Sequence, residues 1–228
     1  QVTISAPGGE KLAERTFNPR LGIKGGISIL GTSGIVEPMS EQALVTSIET
    51  EMRQKSVNRK YLLVTPGNYG ADYLKGNFPF GPDQAVKCSN YVGQTIDLAV
   101  NLELKGLLFV AHIGKFVKVA GGIMNTHSRD ADARMEILAA CALQAGIDGD
   151  RAREILDSVT ADEGLRVIRE AGVWDLSVEI LMKKIDCCMN RRAWNRLKIG
   201  AVVFSNVYGE LGRTKDADEL LARLEAGM

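Results

Sequence analysis

Short runs of consecutive apolar residues alternate along this chain with longer stretches in which apolar residues return every three or four positions. The first pattern reads as strand buried on both faces, the second as helix with one face toward a core. Strands are expected at 27–30 (ISIL), 61–65 (YLLVT), 85–88 (AVKC, the weakest), 106–111 (GLLFVA) and 199–205 (IGAVVFS). Helices are expected at 41–55, behind Ser40 as N-cap, and at 92–104, 130–145, 151–158, 161–171, 176–191 and about 215–226. A short helix follows the 66–70 turn, and Thr160 with Glu163 makes a capping box. Gly114 is expected to turn the chain after the 106–111 strand. The opening residues, 1–19, read as a short strand (QVTIS), a Pro-Gly-Gly turn and an irregular lead-in.

Apolar strands alternating with helices specify the α/β class: a mostly parallel sheet flanked by helices, with a helical C-terminal section. The pattern is Rossmann-like, yet the first strand turn reads GTSG (31–34), so the GxGxxG dinucleotide fingerprint is absent. Residues 25–228 are expected to form one α/β cofactor- and substrate-binding domain, and 1–24 a lead-in or the remnant of a preceding domain.

Charge adds a local feature. Lys and Arg number 28, as do Asp and Glu, so no global excess of positive charge supports nucleic-acid coating. Residues 104–129 nevertheless contain no Asp or Glu, while carrying Lys105, Lys115, Lys118, Arg129 and both histidines, His112 and His127. Positive charge at a strand end suits an anionic ligand, because α/β sheets bind ligands outside the carboxyl ends of their strands. That rule picks out five turns: 31–34, 66–70, Ser89 with Asn90, 112–115 and 205–209. Each histidine alone reads equally well as structural, His112 half-buried at a strand end and His127 capping the next helix. With two histidines and no acid nearby, a protein metal site is not expected. The four cysteines (Cys88, Cys141, Cys187, Cys188) lack metal-ligand spacing and suit a reduced cytoplasm. No apolar run of about 18 residues or signal peptide is read, so no membrane partner is expected. A homo-oligomer is compatible with the sequence.

Three motifs carry a resemblance. PRLGIKGGISILGTSGIVEPMS (19–40), LLVTPGNYG (62–70) and HIGKFVKVAGGIMNTHSRDADAR (112–134) resemble, in order, the CbiD family of cobalt-precorrin-5B (C1)-methyltransferases. Full members are longer and open with a Thr/Gly/Cys/Ala-rich motif, so this chain, which starts at Gln1, is expected to be their C-terminal portion plus a stub. The resemblance implies S-adenosylmethionine-dependent C-methylation of a cobalt-bearing corrinoid precursor in anaerobic cobalamin synthesis, the cobalt travelling with the substrate. It implies that Gly31, Thr32, Ser33, Gly34, Asn68, Ser89 and Asn90 hold the cofactor. Lys115, Lys118, Arg129 and Arg134 would pair with substrate carboxylates, and His127, then His112, would serve polar contact or proton transfer. Two alternatives stay open: another nucleotide-cofactor α/β enzyme, and a non-catalytic tetrapyrrole- or anion-binding module.

Overall fold

The computed structural model describes residues 5–16, 19, 22–27 and 41–227. Residues 1–4 of the expected opening strand, the 31–34 turn and the Ser40 cap lie outside the described residues, as does the 27–30 strand beyond Ile27. A short helix not expected from the sequence, α1 (Gly9–Ala13), comes first. The regular part runs α2 (Glu41–Ser56), β1 (Tyr61–Thr65), α3 (Asn68–Asn77), β2 (Ala85–Lys87), α4 (Val92–Asn101), β3 (Gly106–His112) and α5 (Ile113–Ala120). It continues with α6 (Arg134–Gln144), α7 (Gly149–Asp157), α8 (Ala161–Glu170), α9 (Trp174–Arg192), β4 (Lys198–Ser205), β5 (Gly209–Arg213) and α10 (Ala217–Ala226).

The strands form one sheet in the order β2-β1-β3-β4-β5. β1 to β4 are parallel, with Leu63 opposite Leu108 and Leu108 opposite Gly200, and β5 returns antiparallel to β4. Alternate strand residues enter two cores. Leu62, Val64, Leu107, Phe109, Ala111 and Val203 pack with α2, α4, α5 and α9, and α6 to α8 stack outside these. Leu63, Leu108, Val110, Val202 and Phe204 face Leu74 of α3 and Leu220 and Leu221 of α10. A parallel sheet covered on both faces is why these strands are almost uniformly apolar.

Several expectations need correction. The chain does not turn at Gly114. It passes directly from β3 into α5, because His112 is the N-cap and its Nδ1 accepts the Gly114 N–H at 3.1 Å. α6 starts at Arg134 rather than 130, since the preceding carbonyls are held by Lys118. β5 (GELGR) escaped notice because it is an edge strand with mostly exposed, polar residues. Among the described residues, no helix is long and apolar enough to cross a membrane.

Candidate functional site

The connections place a cleft. From β1 the chain moves outward to β2 through α3, then crosses back through α4 to β3 on the other side of β1. α3 lies on one face of the sheet and α5 on the other, so the chain diverges as it leaves β1 and β3. Such a switch point opens a crevice at the carboxyl ends of the strands. A cleft of about 930 Å³ occupies it, lined by the loops after β1 and β2, by the β3–α5 junction, by Thr160–Ala161–Asp162 at the head of α8, and by Arg15, Thr16 and Arg134.

The β1 loop is shaped by two glycines. Gly67 sits at φ +99°, ψ −173°, backbone space that residues with a Cβ avoid. A Cβ on Gly70 would lie 2.7 Å from the Val110 carbonyl oxygen, so glycine lets the first turn of α3 rest directly on the sheet. That turn has no side-chain cap. Asn68, its first residue, accepts a hydrogen bond from Lys87 Nζ at 3.0 Å. In the β2 loop Ser89 takes a left-handed conformation (φ +53°), and its carbonyl lies 3.4 Å from Lys115 Nζ. Next to it, burial pushes the Cys88 thiol up to about 12, so it stays protonated and inert.

Lys115, from the first turn of α5, stands at the junction of these loops. Its Nζ donates to Asn90 Oδ1 at 2.7 Å, and among the described residues no carboxylate pairs with it. Burial pulls its pKa below the usual lysine value. A cation held by neutral oxygens at the mouth of a cleft is chemically able to receive an anion.

His112 is half-buried between the rings of Tyr69 (5.3 Å) and Phe204 (5.5 Å, edge-on). Burial lowers its pKa, and the nearby charge of Asp162 opposes this. Because Nδ1 accepts the Gly114 N–H, the proton of the neutral ring belongs on Nε2. Nε2 is buried and, among the described residues, has no hydrogen-bond partner.

The cleft thus gathers Asn68, Ser89, His112, Lys115 and Arg134, with Asn90 directly behind Lys115. Arg134 is gripped by both oxygens of Asp132 at 2.7 and 2.8 Å. Lys118 is elsewhere: it is 2 % exposed, and its Nζ donates to the carbonyls of Ala131 (2.8 Å) and Thr126 (3.3 Å), with Asp132 at 3.8 Å. His127 is exposed, and its Nδ1 accepts the Arg129 N–H at 3.1 Å. Arg129 is exposed too, 3.5 Å from Glu41. Gly31, Thr32, Ser33 and Gly34 lie outside the described residues. Tyr69, Lys87 and Asp162 line the cleft without having been singled out. The sequence carried only a capping signal near Asp162, in Thr160 and Glu163. Among the described residues, no three His, Cys, Asp or Glu side chains converge as metal ligands would.

Residues 125–215 match the model of the CbiD C-terminal domain, and residues 1–38 match that of CbiD. The cobalt-precorrin-5B C(1)-methyltransferase of Ruminiclostridium cellulolyticum is 50% identical over 211 residues, 92% of this chain and 55% of its own length. Its namesake from Alkaliphilus metalliredigens is 41% identical over 226 residues, 99% of this chain and 60% of its own. The chain therefore spans a little over half the length of these curated relatives. No solved structure matches it. The motifs, the family models and relatives aligned along nearly all of these residues agree: the chain belongs to the CbiD family.

Proposed function

We propose that this chain is part of a cobalt-precorrin-5B C(1)-methyltransferase. It would use S-adenosylmethionine to methylate C1 of a cobalt-bearing corrinoid precursor in cobalamin synthesis. The relatives' shared name supports the reaction. The observation that carries the site is the switch-point cleft, where Lys115 has no carboxylate partner among the described residues and His112 Nε2 is an unpaired donor. Lys115 has three donors and two neutral acceptors, Asn90 Oδ1 and the Ser89 carbonyl, so a carboxylate in the cleft can complete its set, and the residues present fit a polar, carboxylate-bearing cofactor.

When bound, S-adenosylmethionine supplies an electrophilic methyl group on a positively charged sulfur, which leaves as a neutral thioether. The protein therefore needs no strong acid at the leaving group, and its residues act by positioning and by excluding water. In this reading Asn68 and Ser89 contact the cofactor through side chain and backbone, and Asn90 orients Lys115. Lys115 moves from the substrate to the cofactor carboxylate, because its ammonium stands beside the β1 and β2 loops. Gly31 to Gly34 remain proposed cofactor contacts. Arg134 meets carboxylate arms of the substrate. His112 takes the polar contact first given to His127, while His127 and Arg129 would touch only a substrate lying over their loop. Lys118 supports that loop from beneath. The four free cysteines suit a reducing compartment.

Calorimetry with S-adenosylmethionine tests the reading. The parent protein should bind it, and Lys115→Ala should weaken binding by about tenfold, the loss of roughly one charge-assisted hydrogen bond. Equal affinity of parent and variant would sink the assignment.

A further inference from the structure

The cleft contains a charge that the reading above leaves unused. Arg15, Lys87, Lys115 and Arg134 give its wall four cations against two carboxylates, Asp72 and Asp162, and of the two it is Asp162 that accepts a hydrogen bond from a buried side chain. Asp162 lies in the first turn of α8, where a carboxylate favours the helix dipole. The dipole does not explain its orientation. Oδ1 accepts the Ser205 hydroxyl at 2.6 Å, and Ser205 Oγ itself accepts the N–H groups of Val207 (2.9 Å) and Tyr208 (3.1 Å). Ser205 is 1 % exposed. With its lone pairs taken by two backbone donors, the hydroxyl proton is committed to Asp162. The carboxylate is pinned in one orientation at the end of β4.

Among the described residues no Lys or Arg pairs with Asp162, which accepts from Ser205 and whose charge acts on His112. The helix dipole and the Ser205 hydroxyl both favour a charged oxygen here, yet neither supplies a counter-ion inside the cleft. The same charge would repel a polycarboxylate from this part of the cleft. A ligand bearing both signs suits both features: an anionic end at Lys115 and a cationic centre at Asp162.

We propose that Asp162, held by Ser205, receives the positive centre of a zwitterionic ligand whose carboxylate meets Lys115. The proposal rests on the cleft being the S-adenosylmethionine site. It gives the carboxylate a recognition role, with Ser205 as its positioning residue. In that ligand the positive centre is the α-ammonium or the sulfonium, and binding of analogues separates the two.

Calorimetry would compare parent protein, Asp162→Asn and Ser205→Ala, with folding checked by thermal melting. The ligands are S-adenosylmethionine (both cationic centres), S-adenosylhomocysteine (ammonium only) and methylthioadenosine (neither). Asp162→Asn should weaken S-adenosylmethionine at least tenfold, or 1.4 kcal/mol, and leave methylthioadenosine within twofold. Ser205→Ala keeps the charge but frees its orientation, so it should lose less, in the same ligand order, and it carries the test if the Asn variant fails to fold. A parallel loss for S-adenosylhomocysteine identifies the ammonium as the partner; a loss confined to S-adenosylmethionine identifies the sulfonium. Equal change for all three ligands, or none for any, overturns the proposal. If the parent binds none of them, the cofactor reading falls and takes the proposal with it. If the parent binds and Lys115→Ala weakens it while Asp162→Asn does not, only the Asp162 role is lost.

Discussion

Replacing Lys118 by Met separates a substrate ligand from a loop anchor. The ammonium is 2 % exposed and donates to the carbonyls of Ala131 and Thr126 at 2.8 and 3.3 Å, with Asp132 at 3.8 Å. Met keeps the stem and fills similar space, but leaves both carbonyls without their donor. Each charge-assisted bond is worth about 1.5–3 kcal/mol. Removing the ammonium also removes its desolvation penalty, several kcal/mol in a dry site. The net expectation is a destabilisation of about 2–3 kcal/mol, or roughly 4–12 °C in Tm for a chain of this size. Urea unfolding gives the free energy. Hydrogen exchange gives the location, because the Thr126 N–H, bonded to the Asn90 carbonyl at 2.9 Å, should lose protection first. A variant as stable as the parent, with its Thr126 amide still protected, would refute the anchor. Loss of corrinoid binding in that stable variant would make Lys118 a ligand instead.

Two further predictions concern the neighbouring loops. Gly70→Ala should destabilise by about 1–3 kcal/mol in urea unfolding, since its Cβ would press on the Val110 carbonyl at 2.7 Å and on Thr65 Cβ at 2.9 Å, neither a flexible end; an unchanged midpoint would show that α3 does not rest on the sheet there. The lowered pKa of His112 means the unfolded chain binds its proton more readily, so stability should fall as pH drops below about 6.5 toward the lower folded value, then level off. His112→Asn, which can still cap α5, should remove that part of the pH dependence, measured as the difference between the two proteins' unfolding free energies from pH 7 to 5.

Much of the architecture was legible because local rules act on neighbours in sequence. β1 was readable to the residue from its apolar run, and the Thr160–Glu163 capping box from its spacing. β5 was not, because an edge strand has one unpaired side and little burial, leaving GELGR without a periodic signature. The candidate site divided in the same way. The turns after β1 and β2, and the end of β3 from which α5 starts directly, were findable because strand ends follow from strand runs. Asp162 was not, because it reaches His112 only through the position of β4 beside β3 and the Ser205 contact.

By itself, the sequence determined the α/β class, the strands that build the sheet's centre, and an acid-free segment carrying Lys115, Lys118 and both histidines. Tertiary structure decided what those charges face. Lys115 and Lys118 sit three residues apart on α5, yet one opens onto the cleft and the other is sealed beneath the loop that follows. Helical periodicity sets the direction of each side chain from its own turn. What covers that direction depends on a returning loop, tied down where Thr126 meets Asn90 and Gly93 meets Met124. Those contacts join segments more than thirty residues apart, so no local pattern of apolar and polar residues encodes them.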